Sequence, residues 1–130
     1  MEGDLFTDGQ LPALLNGDFI LRRGINDKAL TNVPHHVTHH SPTGYEWGYG
    51  GSGPADLALN VLETTLLELD YKGPRTKCWH GNCFQLAWDL HQKFKWDFIA
   101  NALHDGKVIP WQTVKDWIID QCGGSLGEVY

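Results

Sequence analysis

The feature that most constrains this chain is a glycine-rich stretch, residues 41–53, that runs directly into a proline. It reads Ser-Pro-Thr-Gly-Tyr-Glu-Trp-Gly-Tyr-Gly-Gly-Ser-Gly, so five of its thirteen residues are glycine. Ordering glycine is entropically costly, and such a stretch is expected where the backbone needs positive φ or a close approach. Tyr45, Trp47 and Tyr49 alternate with the glycines, which predicts a short strand with one aromatic face.

A helix is predicted to begin at Pro54, directly after this stretch. Ser52 or Gly53 would be its N-cap, and Asp56 would lie in its first turn. Apolar residues then recur at helical spacing, so we expect an amphipathic helix that ends at residues 72–74 (Lys-Gly-Pro).

The other predicted elements are two strands before this helix and two helices after it. The strands are Asp18–Arg23 and Asn32–Thr38, and the helices run from about Cys83 to Asn101 and from Pro110 onward. An extended link at residues 107–109 separates these last two. Because strands come first and helices later, the sequence predicts an α+β fold, with a small, mostly antiparallel sheet from the first half packed against about three helices from the second.

Length and composition bound the classes of protein that fit. The chain has 130 residues, which suits one domain at 18–122 with a loosely ordered lead-in at 1–17 and a tail at 123–130. No apolar run reaches the ~18 residues of a membrane span, so we expect a cytoplasmic protein. A net charge of −6 makes nucleic acid an unlikely partner, and three cysteines do not suit a secreted disulfide framework.

The residues at the start of the predicted helix form a candidate anion site. The first N–H groups of a helix lack internal partners and carry partial positive charge, and Gly50–Gly53 would let an anion approach them. Asp56 would repel an anion that it faced, and no Lys or Arg lies between Lys28 and Lys72. The structural alternative is a tight strand-to-helix turn in which Asp56 serves as capping or dipole partner.

Histidines before the glycine-rich stretch form a second group. On a strand, His35 and His39 would share one face, and paired imidazoles can bind Zn²⁺. Glu46 is the carboxylate nearest to them in the sequence. A Cys-x₄-Cys spacing is looser than that of a zinc knuckle, and histidine clusters are common on surfaces. Further donors would be Cys78, His80, Cys83 and His91.

A long run of residues, 40–60, carries a family resemblance. It reads His-Ser-Pro-Thr-Gly-Tyr-Glu-Trp-Gly-Tyr-Gly-Gly-Ser-Gly-Pro-Ala-Asp-Leu-Ala-Leu-Asn. It resembles the hallmark of a small family of unknown function scattered through bacteriophages, plasmids and bacterial mobile elements. Residues 92–100 and a closing helix with Val114 and 117–118 also match, so the resemblance spans about 18–119.

The resemblance implies a phage or mobile-element protein of the bacterial cytoplasm and brings no established activity. The histidine-rich approach and the Cys78–Cys83 loop are not features of that family. No catalytic residue and no cofactor are therefore predicted.

The leading functional hypothesis is a non-catalytic protein that binds a phosphorylated small molecule, of nucleotide type, at the glycine-rich loop. It would act against host defence by sequestering a nucleotide signal. The alternatives are an inhibitor that binds a host defence protein and a metal-dependent hydrolase that uses the histidines. The predicted ligand-binding residues are His40, Ser41, Tyr45, Glu46, Trp47, Tyr49, Gly50, Gly51, Ser52, Gly53 and Asp56.

Six tryptophans are more than one small core buries easily, and exposed aromatic residues tend to mark interfaces. The sequence therefore predicts a homodimer. The candidate contact residues are Trp79, Trp111 and Trp117.

Overall fold

The computed structural model describes residues 17–41 and 44–125. Within them the elements follow in the order β1 (Phe19–Arg23), β2 (Ala29–Thr31), α1 (Ser52–Glu68), β3 (Arg75–Lys77), β4 (Asn82–Phe84), α2 (Gln85–Phe94), β5 (Gly106–Ile109) and α3 (Trp111–Gln121). A 3₁₀ turn, Ile25–Asp27, joins the first two strands, and a π-helical segment, Lys95–Ile99, continues α2. Apart from Gly17 and residues 123–125, the predicted lead-in and tail lie outside the described residues.

β1 is the central strand of a three-stranded antiparallel sheet. Leu21 of β1 pairs with Thr31 of β2 on one side and with Lys107 of β5 on the other. Phe19 and Leu21 are buried on the face that meets the core. A second antiparallel sheet consists of β3 and β4. The α+β class is confirmed, but one strand of the main sheet comes from the second half, where the sequence predicted only an extended link.

α1 is buried on nearly all sides. Residues 53–63, 65 and 66 are all buried, because α2, the π-helical segment and α3 all pack against this helix. The predicted amphipathic helix is therefore wrong in one respect. Asp56, Asn60 and Glu63 do not face water; they bind other parts of the chain, and the exposed polar residues lie at the two ends of the helix.

The structure moves the predicted second strand. The segment Asn32–Thr38 is not a strand; β2 ends at Thr31, and Thr38 makes only an isolated bridge with His80. Pro34 interrupts the segment, and the N–H groups of His36 and Val37 donate to a side chain of α1 instead of to a neighbouring strand. A side chain of α1, and not the backbone of a neighbouring strand, thus accepts the hydrogen bonds of this segment.

The aromatic alternation at 45–49 does not form a strand either. Positive φ values at Gly44 (+115°) and Gly48 (+90°) turn the backbone, so the three aromatic rings do not share a face. Tyr45 and Trp47 are buried in the core, whereas Tyr49 is 52% exposed.

Two helix boundaries also differ from the prediction. Gly51 is the N-cap of α1, so the helix begins at Ser52 and its first turn contains no acidic residue; Asp56 lies beyond it. Cys83 belongs to β4, and α2 begins only at Gln85. The third helix starts directly after Pro110, as predicted.

The tryptophans predicted at a dimer contact have different surroundings. Trp117 packs against Phe94 and Phe98, and Trp111 also packs partly against the core. Trp79 is 58% exposed. The homodimer stays a prediction, which light scattering at micromolar concentration tests; a monomeric mass would contradict it. No helix in the described part of the chain is both long enough and apolar enough to cross a membrane.

Candidate functional site

An open, polar cleft of about 660 Å³ lies beside the start of α1. We call it the α1 cleft. The 3₁₀ turn and β2 form one wall, and the loops before and after residues 42–43 contribute the rest. It brings together six of the predicted ligand-binding residues, namely Ser41, Tyr45, Glu46, Tyr49, Ser52 and Gly53, and adds Lys28 and His35.

Ser52 and Gly53, the first two residues of α1, line this cleft. Pro54 has no N–H group, and the N–H of Ala55 donates to the carbonyl of Gly51 at 3.1 Å. Within the described residues no backbone hydrogen bond uses the N–H groups of Ser52 or Gly53, which the helix cannot satisfy internally.

The glycines before α1 lie against two aromatic rings. A Cβ atom added at Gly50 would overlap the ring of Trp96, and one added at Gly51 would overlap the ring of Tyr49. These rings are 59% and 52% exposed, respectively. We call Tyr49 and Trp96 the aromatic pair. Glycine at positions 50 and 51 therefore allows the rings to lie directly against the backbone, where a Cβ atom would overlap them.

Gly53 has a different environment, because it packs against backbone. A Cβ there would lie 3.0 Å from Cβ of Glu46 and 3.2 Å from the carbonyl oxygen of Gly44. A side chain at Gly53 therefore requires the neighbouring backbone to shift by a few tenths of an ångström, whereas Tyr49 is half exposed and can be changed without opening the core.

A buried lysine reaches the glycine turn from the π-helical segment. Nζ of Lys95 donates to the carbonyl of Gly50 at 3.1 Å and lies 4.6 Å from the centroid of the Trp96 ring. Only 6% of Lys95 is exposed. Sequence reasoning missed this cation because it lies far along the chain, although the second matching motif, residues 92–100, contains it.

Asp56 anchors the loop that precedes the glycine-rich stretch. Its carboxylate accepts the N–H of His40 at 2.8 Å, that of Ser41 at 2.8 Å and that of His39 at 3.2–3.3 Å. Asp56 is 2% exposed. Its carboxylate oxygens are thus engaged by backbone. Its predicted role as capping partner in the first turn does not apply, because Asp56 lies beyond that turn and binds the preceding loop. Its charge still acts on the α1 cleft, since burial and the Asp56 carboxylate raise the pKa of Tyr45.

Asn60 and Glu63 continue this row along α1. Oδ1 of Asn60 accepts the N–H groups of His36 and Val37 at 2.8 and 3.0 Å, and its Nδ2 donates to the carbonyl of Val37. Glu63 accepts the N–H of Phe84 at 2.8 Å and pairs with a guanidinium of β3 at 2.9 Å. Asp56, Asn60 and Glu63, the polar row of α1, bind the loop before the helix and the β3–β4 hairpin after it.

The histidines do not form the predicted face. His35 stacks on Tyr45 with ring centroids 4.0 Å apart, and Nδ1 of His39 accepts the N–H of Trp79 at 2.9 Å. A different pair meets: Nε2 of His40 lies 2.9 Å from Nε2 of His91.

The tautomers of this histidine pair follow from its neighbours. Nδ1 of His91 lies 2.6 Å from the carbonyl of Trp88, so it carries the proton that the carbonyl accepts. Nε2 of His91 is then an acceptor, and Nε2–H of His40 donates to it. Burial lowers the pKa of His91 to about 4 and also lowers that of His40.

The other residues predicted as metal ligands, Cys78, His80 and Cys83, do not form a metal site. Sγ of Cys78 lies 3.0 Å from Sγ of Cys83, both buried, while His80 is exposed. Among the described residues no group of three or more His, Cys, Asp or Glu side chains is placed to hold a metal ion.

Two predicted ligand residues have structural partners. Glu46 forms an ion pair with Arg23 at 2.9 Å, and the Arg23 guanidinium lies 4.2 Å from the centroid of the Trp47 ring. Trp47 is 2% exposed and its Nε1 donates to the carbonyl of His104 at 3.0 Å. Trp47 is therefore a core residue, which leaves Tyr49 as the accessible ring of the stretch.

No curated protein and no solved structure matches the chain. One family model does, and its match includes the glycine-rich stretch and all of α1. Over residues 13–72 the chain matches DUF6166, a family of unknown function, which confirms the resemblance to an uncharacterised family.

Proposed function

We propose that the chain is a non-catalytic protein that binds a phosphorylated small molecule of nucleotide type at the start of α1. The observation that carries the proposal is the convergence on residues 50–53 of backbone donors, a buried ammonium group and exposed aromatic rings. The resemblance to phage and mobile-element proteins adds the biological setting, in which the ligand is a nucleotide signal of host defence.

The donors and the lysine suit a phosphate. The N–H groups of Ser52 and Gly53 lie where the helix carries partial positive charge, and anions bind readily at such positions. Lys95 adds a full positive charge at the adjacent Gly50. Glu46 is the acidic residue within the glycine-rich stretch, and its negative charge is balanced by its ion pair with Arg23.

The aromatic pair suits a base. Stacking on an aromatic side chain contributes about 1–3 kcal/mol per base and tolerates any base, because every base has a π-face. Tyr49 lines the α1 cleft, and Trp96 lies against the neighbouring glycine. A ligand with a phosphate and a planar ring would use both features at once.

A thermal-shift screen tests the proposal. Nucleoside mono- and diphosphates, cyclic nucleotides and inorganic phosphate are added separately, and a ligand of the native state raises Tm. We expect a larger shift from at least one nucleotide than from inorganic phosphate. No shift with any nucleotide would contradict the proposal.

Tyr49→Ala tests the stacking. Because Tyr49 is half exposed, the variant should fold, and the affinity for the nucleotide found in the screen should fall by about 5–150-fold, the equivalent of one stacked base. Leu67→Ala, at a 46% exposed position near the other end of α1, is the control and should bind normally. Calorimetry measures both affinities. Equal affinities would exclude a base at Tyr49.

Ser52→Pro tests the backbone donors. Proline suits the first position of a helix and removes only the N–H group and the hydroxyl. We expect this variant to lose at least tenfold in affinity, while Ser52→Ala, which keeps the N–H, loses less. Lys95→Met, with Lys93→Met as its exposed neighbour, tests the ammonium in the same assay. Unchanged binding in Ser52→Pro would place the phosphate elsewhere.

A protein inhibitor is the second candidate. It is favoured by the same aromatic pair, since exposed tyrosine and tryptophan are frequent hot spots of protein interfaces. The nucleotide screen separates the two, because a surface that binds only protein gives no shift with any nucleotide.

A further inference from the structure

Cys78 and Cys83 lie together on the β3–β4 hairpin, outside the proposed ligand site. Their Sγ atoms are 3.0 Å apart. Thr76 pairs with Cys83 across the hairpin, and the N–H of Cys78 donates to the carbonyl of Gly81 at 2.9 Å. Cys83 therefore lies in β4, and Cys78 directly follows β3, so the hairpin fixes the position of one relative to the other. We propose that they are a modification site, at which a peroxide converts the two thiols into a disulfide.

The surroundings give the two thiols different parts in this reaction. Cys78 is 9% exposed, directly below an exposed turn, whereas Cys83 is fully buried. Burial and the adjacent Cys78 thiol raise the pKa of Cys83, which keeps Cys83 protonated. A small oxidant thus reaches Cys78 first, and Cys83 is the resolving thiol.

The chemistry balances with hydrogen peroxide as the oxidant. The Cys78 thiolate attacks one peroxide oxygen, the O–O bond breaks, and a sulfenic acid and hydroxide form. Sγ of Cys83 then attacks Sγ of Cys78, the S–O bond breaks, and the Cys83 proton leaves with the hydroxyl as water. The hydroxide takes up the proton that Cys78 released and becomes a second water molecule. In sum, two thiols lose two electrons and the peroxide is reduced to two molecules of water.

The turn between the cysteines is joined to the loop that α1 holds. Thr38 and His80 exchange two backbone hydrogen bonds at 2.9 and 3.1 Å, and the N–H of Trp79 donates to His39. A disulfide across the base of this turn would fix the backbone that carries these contacts. Oxidation would therefore act on the loop at residues 38–41, which Asp56 also binds.

The first test counts thiols in the full chain carrying Cys122→Ser, which removes the third cysteine. After hydrogen peroxide the protein is unfolded and alkylated with iodoacetamide, with or without prior reduction, and its intact mass is measured. We expect no alkyl group before reduction and two after it. With the additional change Cys83→Ala, Cys78 has no resolving thiol, so we expect stable addition of oxygen at Cys78 and no disulfide within the chain. In the Cys122→Ser protein itself, two alkyl groups without reduction, or stable addition of oxygen without a disulfide, would overturn the proposal.

The second test needs no change at either cysteine of the pair. The same Cys122→Ser protein is equilibrated with glutathione redox buffers, folded or in denaturing urea, and the oxidised fraction is measured. Because the fold holds the two sulfur atoms together, we expect the equilibrium constant for the disulfide to be at least tenfold larger in the folded protein, which is about 30 mV. Equal constants would show that the fold does not favour the disulfide.

Discussion

Replacing Asp56 with alanine is expected to lower the free energy of unfolding by about 3–5 kcal/mol, because the variant leaves buried donors without an acceptor. The carboxylate accepts the backbone N–H groups of His39, His40 and Ser41. A buried donor without a partner costs about 1–3 kcal/mol, and hydrogen bonds to a charged group are among the stronger ones. Urea unfolding at pH 7, extrapolated to water, measures the change.

Two further variants show whether charge or position matters at this site. Asp56→Asn keeps the shape but turns one acceptor into a donor that faces an N–H group, so it should also destabilise the protein. Asp89→Asn changes an exposed carboxylate on α2 and should stay within about 0.5 kcal/mol of the parent chain. If Asp56→Ala were as mild as Asp89→Asn, the loop would not depend on this carboxylate.

Acidification is expected to remove about 3 kcal/mol of stability through one buried histidine, at about 1.4 kcal/mol for each unit of pKa difference. Burial lowers the pKa of His91 from 6.5 to about 4 in the folded protein. Between these values the unfolded chain binds a proton that the folded chain excludes. Stability is therefore complete above pH 6.5, falls as the pH is lowered, and the loss is complete below about pH 4.

The geometry of the histidine pair gives the physical reason. Both nitrogens of His91 are already committed, since Nδ1 donates to the carbonyl of Trp88 and Nε2 accepts from His40. A proton added to Nε2 would oppose two N–H groups at 2.9 Å. The folded protein can take up this proton only by separating the two rings.

The test compares the pH dependence of unfolding in three proteins. His91→Gln cannot be protonated, while its amide oxygen can still accept from His40, so its stability should fall less between pH 6.5 and 4. His104→Gln, at an exposed position, should retain the full pH dependence. Parallel curves for the parent chain and His91→Gln would show that other groups cause the acid destabilisation.

The parts of the fold that could be predicted from the sequence are those that depend on residues close together in the chain, such as a proline at a helix start. Pro54 and Pro110 lie at or near the starts of two helices because proline suits a helix start, and the glycine-rich stretch lies where positive φ is needed. β5 was missed because its partner, β1, lies far along the chain. The all-round burial of α1 was also missed, since its hydrogen-bonded Asp56 and Asn60 look like surface residues in a one-dimensional pattern.

The residues of the candidate site were predicted where they belong to the glycine-rich stretch and missed where they come from another part of the chain. Tyr49 and Ser52 were predicted because they belong to the stretch itself, and both line the α1 cleft. Lys95 and Trp96 were not, because a π-helical segment from another part of the chain brings them to the glycines. Trp47 was predicted to contact a ligand but is a core residue, since alternation alone does not reveal which rings turn inward.

The burial of α1 has a consequence for the segment that the family model recognises. That segment ends at residue 72, yet α2, the π-helical segment and α3, which cover α1, all follow it. Glu63 likewise takes its partners, Arg75 and Phe84, from beyond this limit. A fragment cut at residue 72 would expose apolar surface and leave a charge unpaired, so we expect it to aggregate. Residues 13–72 are a signature by which the chain is recognised, and we expect the smallest unit that folds to extend through α3.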